Sequence, residues 1–484
     1  MRIHTDNCVS SPLRPCVSAR GQQGFSPRFV LACLASSRFK IFVPGFIGRL
    51  IPSAAKARFD SFYDRRYSAQ VLGTTREIKP MSQAASASVT QDIKPKKAAA
   101  GGMEGVVAAP SDICFIDGIA GRLVYRGYEI GDLVEHLETL AFEQICCLLW
   151  DGNLPNRTQL DAVHRALVGE AALPPYVLTI LNTLPKQTEP MDALRTAVSA
   201  LSSIDPDLHC SDQAGHRRQA VRLTAKFPGI VAAFHRIRKG LTPIAPDPEL
   251  SIAGNFLYML TGKRAHDTLV RVMDAALVLH AEHGFNASTF AARVTAATKA
   301  DMYAAITAAC GALKGPLHGG ANEAVMQLLL ECGTPDKAER LVTEMVSPSD
   351  PAKPKQKVPG FGHRVYKTFD PRATFLRKMS KQLGEAAGNT MWYEMSERLI
   401  PIVKQAKGSN GEPLNLNPNV DFFSASVYYT MGIPIDLFTP VFAIARIAGW
   451  TAHVMEQHAN NRIIRPQDDY HGPFGLKVTP IEQR

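Results

Sequence analysis

Apolar residues recur every three to four positions through most of the chain from about residue 130 onward. This spacing is typical of amphipathic α-helices, and Pro, Gly or Asn separates one such stretch from the next. The predicted helices cover residues 133–151, 161–173, 191–203, 218–238, 255–260, 266–283 and 301–313. Two short strand-like segments, residues 113–116 and 122–126, flank Asp117-Gly118, a dipeptide typical of hairpin turns. Because no regular alternation of strands and helices follows, the pattern predicts an all-α protein.

A glycine-rich bend at residues 311–322 contains one histidine and leads into another predicted helix. The glycines and the proline of residues 315–320 disfavour a helix there, whereas residues 323–330 contain no such breaker. His318 is therefore predicted to lie just before a helix N-terminus, where positive partial charge favours a neutral imidazole that donates a hydrogen bond. On its own, the stretch favours a plainer interpretation, a tight turn whose histidine caps the backbone.

Two histidines spaced three residues apart, His280 and His283, end one of the predicted helices. If both lay on one helix face they would suit a metal ion, but the order is not H-E-x-x-H and no third ligand is evident nearby. A hydrogen-bonded pair at a helix end is the favoured interpretation, and no metal site is predicted.

A basic loop with Lys353, Lys355 and Lys357 precedes a second glycine-flanked histidine, His363. The lysines are compatible either with ordinary solvated charge or with attraction of a phosphate-bearing ligand. Further on, Asp370-Pro371 is typical of a helix N-cap and first helical position, which places Arg372 in the first turn. An arginine there opposes the helix dipole, so we expect either a bridging anion or a solvated guanidinium.

Two later charged residues stand out from their surroundings. Asp421 opens a predicted helix after a loop rich in Pro and Asn, where it is either a helix cap or a functional carboxylate. Arg446 lies within the otherwise apolar residues 438–450. A guanidinium buried there requires an anionic partner, and the stretch itself supplies none.

The formal net charge of +10 is concentrated at the N-terminus, because residues 1–80 hold 13 Lys and Arg against 4 Asp and Glu. The remainder is nearly neutral, which argues against a nucleic-acid-binding surface. Scattered arginines with little acid are typical of an organellar transit peptide, and the apolar runs are too short to span a membrane. We expect residues 1–80 to be a cleaved leader directing the protein to the mitochondrial matrix; another organelle, or a disordered extension on a cytoplasmic protein, is the alternative. Residues 81–102 are predicted to be a flexible linker.

Other motifs narrow the function further. The nine cysteines are scattered without a C-x-x-C pair, which favours reduced thiols in an intracellular protein. Neither a G-x-G-x-x-G nor a G-x-x-x-x-G-K-[ST] sequence occurs, which excludes the common dinucleotide and P-loop sites.

Five ordered motifs then define a resemblance. They are Leu317-His318-Gly-Gly-Ala-Asn-Glu, Gly360-Phe-Gly-His363 with Asp370-Pro-Arg372, Asn419-Val-Asp421, Ala443-Ile-Ala-Arg446 and Arg465-Pro466. From about Met103 to Gly472 the chain resembles the citrate synthases, in the shorter form typical of bacteria. The resemblance implies an all-α fold with a large helical domain, residues 103–319 and 433–472, and a smaller mobile domain, residues 320–432. A polar tail, residues 473–484, would follow.

The resemblance also implies a reaction. Acetyl-CoA, a substrate rather than a cofactor, would lose a methyl proton to Asp421 while His318 donates a hydrogen bond to the thioester oxygen. His363 would polarise the ketone of oxaloacetate, and hydrolysis of the citryl thioester would follow. No cofactor and no metal are implied, and acid and base acting together would avoid a free enolate.

The same resemblance assigns binding residues and an assembly. Oxaloacetate would be held by His283, Arg372, Arg446 and Arg465, with Arg465 crossing from the second subunit of a homodimer whose active sites are shared. The coenzyme would contact Lys353, Lys355, Lys357, Arg364 and Lys367. Neither a nucleic acid nor a membrane is an expected partner.

Two alternatives remain open at this stage. The 2-methylcitrate synthases, which use propionyl-CoA, share nearly all these motifs. Arg364 follows His363 where a proline is expected in that group, so citrate synthase is favoured. An inactive binding protein on the same scaffold is a more remote alternative, which the retained histidines, aspartate and arginines disfavour.

Overall fold

Helices form nearly all the regular structure of the protein, as the periodicity predicts. The computed structural model describes residues 101–103, 105–350, 352–408 and 411–484, so the predicted leader and most of the linker lie outside the described residues. Within that part the α-helices are α1 Ile130–His136, α2 Ala141–Asp151, α3 Arg157–Glu170, α4 Pro175–Thr183, α5 Pro190–Leu201, α6 Gln213–Arg238, α7 Ile252–Thr261, α8 Asp267–His280, α9 Ala287–Ala297, α10 Met302–Leu313, α11 Ala321–Cys332, α12 Pro335–Val346, α13 Pro371–Ala386, α14 Met391–Gln405, α15 Val420–Thr430 and α16 Phe438–Ala459. The all-α class is confirmed.

A small antiparallel sheet precedes the helices. Strand β1, Cys114–Asp117, pairs with β2, Arg122–Tyr125, in the register Asp117 to Arg122. The Asp117 carboxylate accepts hydrogen bonds from the backbone N–H groups of Ile119 and Ala120, which closes the turn. The predicted hairpin is therefore confirmed, and a two-residue strand, β3 (Tyr128–Glu129), extends it.

The single helix predicted for residues 133–151 is wrong, because the chain forms α1 and α2 with a break at residues 137–140. Leu140 has a left-handed backbone and offers no side-chain cap to α2. Instead, the carboxylate of Asp274 on α8 accepts hydrogen bonds from the N–H groups of Ala141 and Phe142. A cap supplied from a distant helix stabilises a helix start that no local signal marks.

Five of the helices were not predicted, namely α4, α9, α12, α14 and α16. Conversely, the helix predicted for residues 266–283 ends at His280, so His283 lies beyond it in a loop. The expectation that His280 and His283 share a helix face is therefore wrong, and the two imidazoles have different surroundings.

Helix α16 lies at the centre of the core and packs against α2, α6, α8, α9 and α10. It is long and apolar enough to cross a membrane, but most of its residues are buried inside the protein, as in a core helix. The bend between α10 and α11 also packs tightly, since a Cβ on Gly319 would lie 2.6 Å from the carbonyl oxygen of Leu313. That contact requires glycine and fixes the position of His318.

The described residues from 101 to 484 belong to one compact unit. Its division into a large domain and a mobile domain of residues 320–432 stays a prediction.

Candidate active site

Six of the seven residues predicted to act in catalysis or to bind oxaloacetate line one open cavity of about 790 Å³. They come from loops, from helix starts and from the middle of α16, and are separated by up to 163 positions in the chain. They are His283, His318, His363, Arg372, Asp421 and Arg446. The fold therefore brings together the residues for which the sequence predicted chemistry.

Arg446 is buried on α16, and only one of its guanidinium nitrogens has a hydrogen-bond partner among the described residues. Its Nε donates a hydrogen bond of 2.8 Å to the carbonyl oxygen of His280, and its guanidinium lies 4.7 Å from the ring centre of Phe442. Neither Nη1 nor Nη2 has a hydrogen-bond partner among the described residues. Burial lowers the pKa of Arg446 to about 10, so the group remains charged at neutral pH. Two unpaired donors of a buried cation in a cavity form a site for an anion.

Arg372 and Asp370 form a buried ion pair at the start of α13. The arginine Nε donates to Oδ1 at 2.9 Å and Nη2 donates to Oδ2 at 2.7 Å, while Oδ1 also caps the helix. Although burial opposes both charges, their pairing lowers the pKa of Asp370 and raises that of Arg372. The alternative of a solvated arginine is wrong, because Arg372 is buried and the neighbouring aspartate compensates its charge. The expectation of a bound anion stays a prediction. Arg372 also lines the cavity.

Asp421 is not the cap of its helix. The side chain of Asn419 accepts the hydrogen bond from the Asp421 N–H at 3.0 Å, so Asn419 fills that role and the cap interpretation of Asp421 is wrong. Oδ1 of Asp421 has no hydrogen-bond partner among the described residues. Burial raises the pKa of Asp421 to about 7, an effect that Arg372 partly offsets. An unpaired carboxylate with a pKa near neutrality suits a general base.

His318 is held through its Nε2 atom. The backbone N–H of Ser288 donates to Nε2 at 3.3 Å, and the Ser288 hydroxyl lies 2.8 Å from the same atom. Because a backbone N–H can only donate, Nε2 carries a lone pair and the imidazole proton lies on Nδ1. Burial, followed by the charge of Arg446, lowers the pKa of His318 to about 4. The imidazole is therefore a neutral donor, as predicted, but burial rather than the helix N-terminus is the main cause.

His363 is fixed in the opposite tautomer. Its Nδ1 accepts hydrogen bonds from the backbone N–H groups of Val365, at 3.0 Å, and Tyr366, at 3.2 Å, which leaves the proton on Nε2. Burial and then Arg372 lower the pKa of His363 to about 4. The cavity thus contains two neutral histidines, each with one nitrogen committed to the protein and one free to donate.

The third histidine of the cavity, His283, lies beside the second. Its ring centre is 5.2 Å from that of His363, and its Nε2 is 3.2 Å from the hydroxyl of Tyr366. Burial, with Arg372 and His363, lowers its pKa well below the usual range. His280 is instead tied to the carbonyl oxygen of Ala276, and the described part of the chain holds no cluster of three His, Cys, Asp or Glu side chains that would suit a metal ion.

Of the other residues predicted to bind the coenzyme or oxaloacetate, only one lies at the cavity. Arg364 lines the cavity, whereas Lys355 donates to the carbonyl oxygen of Lys407 and Lys367 to that of Arg364. All four lysines predicted to contact the coenzyme are exposed and do not line the cavity: Lys353, Lys355, Lys357 and Lys367. Arg465 is also exposed, on the segment that follows α16, and is not part of the cavity of its own chain.

Sequence reasoning missed three residues that support the site: Ser288, Tyr366 and Glu282. Glu282 is fully buried, and its Oε1 lies 3.0 Å from Nε2 of His453. A Cβ on Gly449 would lie 2.1 Å from Oε2 of Glu282, so glycine one turn after Arg446 lets α16 approach this carboxylate. The signal available for Ser288 was Asn286, a residue type typical of a helix N-cap, which caps α9 two residues before Ser288.

A sequence profile described as "Citrate synthase, C-terminal domain" matches residues 102–467. The chain belongs to the citrate synthase family. The citrate synthases are acyltransferases, so the protein is an enzyme of that class that acts on small molecules.

Individual citrate synthases agree with this assignment. "Citrate synthase 2" of Bacillus subtilis is 48% identical over 384 residues, which cover 79% of this chain and 98% of the relative. A "Citrate/2-methylcitrate synthase" of the same organism is 42% identical over 373 residues, or 77% and 96% of the two chains. The citrate synthase of Thermoplasma acidophilum, solved as a ternary complex with carboxymethyl coenzyme A and oxaloacetate, matches with a TM-score of 0.72 at 32% identity, covering 79% of this chain and 98% of that one.

Proposed function

We propose that the protein is a citrate synthase that condenses acetyl-CoA with oxaloacetate and water to give citrate and CoA, without a cofactor. The observation that carries the proposal is Asp421, an unpaired buried carboxylate with a pKa of about 7, in one cavity with two neutral histidines of fixed tautomer. A base and two neutral donors are the groups that enolisation of a thioester and attack on a ketone require.

In this mechanism Asp421 removes a methyl proton from acetyl-CoA while Nδ1–H of His318 donates to the thioester oxygen. The enolate-like carbon attacks the ketone carbon of oxaloacetate, whose oxygen accepts a hydrogen bond from Nε2–H of His363. The C–C bond formed gives citryl-CoA, and water then cleaves its thioester to citrate and CoA. Each histidine acts as a neutral donor because burial keeps its pKa near 4.

Oxaloacetate is a dianion, and the cavity offers cationic groups of matching geometry. The unpaired Nη1 and Nη2 of Arg446 provide a fork for one carboxylate. Arg372 and His283 line the same cavity. The Thermoplasma acidophilum citrate synthase was solved with oxaloacetate bound, which supports this ligand for the related site here.

A thiol-release assay with purified protein tests the proposal. We expect CoA to appear only when acetyl-CoA and oxaloacetate are both present, in a 1:1 ratio with citrate. Release of CoA without oxaloacetate, or no release at all, would reject the proposed reaction.

The 2-methylcitrate synthase activity is the second candidate, since the names of two relatives include it. We propose that acetyl-CoA is preferred, and the ratio of kcat/KM for acetyl-CoA to that for propionyl-CoA decides the question. A pocket that differs by one methylene discriminates by only about 10- to 200-fold, so both activities are expected to be measurable. A ratio below one would make propionyl-CoA the better substrate.

We further propose a homodimer in which Arg465 reaches the partner's active site, because Arg465 is exposed and lies outside the cavity of its own chain. Subunits with Arg465→Ala and subunits with Asp421→Asn would each be inactive alone, and mixed dimers should regain one intact site. If mixing restores no activity, Arg465 does not act between subunits.

The leader is proposed to direct the protein to the mitochondrial matrix, since residues 1–80 carry 13 Lys and Arg but only 4 Asp and Glu. N-terminal sequencing of the protein from isolated mitochondria tests this. A chain that begins at Met1 would contradict cleavage.

A further inference from the structure

The turn of the N-terminal hairpin contacts the loop that carries His363. The turn comprises residues 118–121 between β1 and β2, and we call it the hairpin turn. The loop comprises residues 363–369, which precede Asp370 and α13, and we call it the histidine loop. Ile119 of the turn and Thr368 of the loop bond to each other across 249 positions of the chain. Nothing in the mechanism above uses the hairpin.

Backbone groups make most of this contact. The N–H of Lys367 donates to the carbonyl oxygen of Gly118 at 2.8 Å, and the hydroxyl of Thr368 donates to that of Ile119 at 3.1 Å. The apolar side chains nearby remain largely in water, since Ile119 is 79% exposed and Phe369 is 49% exposed. Burial of these side chains therefore contributes little, and the hydrogen bonds define how the two segments fit together.

Two glycines allow the backbones to approach so closely. A Cβ on Gly118 would lie 2.9 Å from the carbonyl carbon of Val365 and closer still to its oxygen. Gly121 has a φ of 68°, and a Cβ there would lie 3.0 Å from the carbonyl oxygen of Phe369. Gly118 does not have a positive φ, so alanine suits its backbone and only the contact with Val365 opposes a side chain.

The same part of the histidine loop sets the tautomer of His363. Nδ1 of His363 accepts from the N–H groups of Val365 and Tyr366. The carbonyl of Val365 and the N–H of Tyr366 belong to one peptide unit, so the carbonyl that packs against Gly118 is rigidly joined to a donor of that hydrogen bond. Because Nδ1 accepts, the proton lies on Nε2, the atom that donates to the ketone in the proposed mechanism.

We propose that the hairpin turn positions His363, with Gly118 as the residue that seats the histidine loop; this rests on the proposed function. A side chain at position 118 would displace the peptide unit of residues 365–366 and move its N–H away from Nδ1. A misplaced donor at the ketone slows the attack on oxaloacetate. Asp421 and His318, which enolise the thioester, make none of these contacts.

Substitutions on both sides of the contact test the proposal. Gly118→Ala should lower kcat by about tenfold or more, while exchange of the acetyl-CoA methyl protons beside a non-reactive oxaloacetate analogue stays at the wild-type rate. Gly169→Ala, on α3, where a Cβ would meet nothing within 4 Å, is the control and should change neither rate. Thr368→Val should lower kcat by about two- to tenfold, and Thr368→Ser should restore it. The proposal is overturned if Gly118→Ala keeps the wild-type kcat, or if exchange falls as much as kcat.

NMR of isotope-labelled histidine separates this proposal from the reaction itself, because the tautomer is observed without turnover. With His363→Asn used to assign the signal, wild-type protein should show the His363 proton on Nε2, and Gly118→Ala should lose that preference. Wild-type protein that fails to release CoA would reject the proposed reaction. Active wild-type protein whose Gly118→Ala variant keeps the Nε2 proton would reject the positioning role alone.

Discussion

Replacing Asp421 with asparagine should abolish most turnover while stabilising the protein at alkaline pH. Asn419 caps α15, so Asp421→Asn removes no cap, and Oδ1 of Asp421 has no hydrogen-bond partner to lose among the described residues. The substitution therefore removes mainly the carboxylate charge and its capacity to accept a proton. Loss of a positioned base should lower kcat by about 10²- to 10⁴-fold with little change in the KM for oxaloacetate.

The stability effect follows from the raised pKa. Moving a carboxyl pKa from 3.8 to about 7 makes its ionisation less favourable in the folded protein by about 4 kcal/mol. The folded protein binds this proton more tightly than the unfolded chain, so wild-type stability falls as the pH rises from about 4 to about 7. Because asparagine does not ionise, the stability of the variant does not fall with pH through this group. Between pH 5 and pH 8 its stability relative to wild type should therefore rise by about 3 kcal/mol.

Urea unfolding at fixed protein concentration, at pH 5 and pH 8, measures this difference, and steady-state kinetics on the same preparations measure kcat. The wild-type kcat should also decline below a pH of about 7, where protonation removes the base. If Asp421 acted only as a helix cap, Asp421→Asn would change neither turnover nor stability much, because asparagine caps about as well as aspartate. Unchanged turnover together with a pH-independent stability difference would refute the assignment of Asp421.

Arg446→Lys should raise the KM for oxaloacetate by about 10- to 100-fold, because lysine cannot present the two unpaired nitrogens of the guanidinium as a fork; an unchanged KM would remove Arg446 from the anion site. Ser288→Ala should lower kcat by about two- to tenfold, since one contact to Nε2 of His318 is lost and the backbone N–H remains; Thr298→Ala, on the exposed end of α9, is the control. A chelator should leave activity unchanged, and a loss that zinc restores would return His280 to consideration as a ligand.

The sequence predicted most helices because their apolar spacing is a local property. It missed the break between α1 and α2 because the cap comes from Asp274, more than 130 positions away. Helix starts of this kind depend on tertiary contacts that no local window contains.

Some residues of the site could be predicted from the sequence and others could not, again because the latter depend on tertiary contacts. Arg446 stood out because a lone guanidinium among apolar residues needs an anion, and its two unpaired nitrogens agree with that reasoning. For Asp421 the local signal was ambiguous, since Asn419 and Asp421 both suit a cap and only the hydrogen-bond pattern separates them. The contact between Ser288 and His318 joins residues 30 positions apart and follows from the fold alone.

The central claim, that Asp421 and His318 enolise a thioester, is tested most directly by proton exchange. Acetyl-CoA is incubated with the protein in deuterated water, with a non-reactive oxaloacetate analogue bound, and deuterium in the methyl group is followed by NMR. Wild-type protein should exchange the methyl protons, and Asp421→Asn should do so at least about a hundredfold more slowly. Exchange at the wild-type rate in Asp421→Asn would contradict the account.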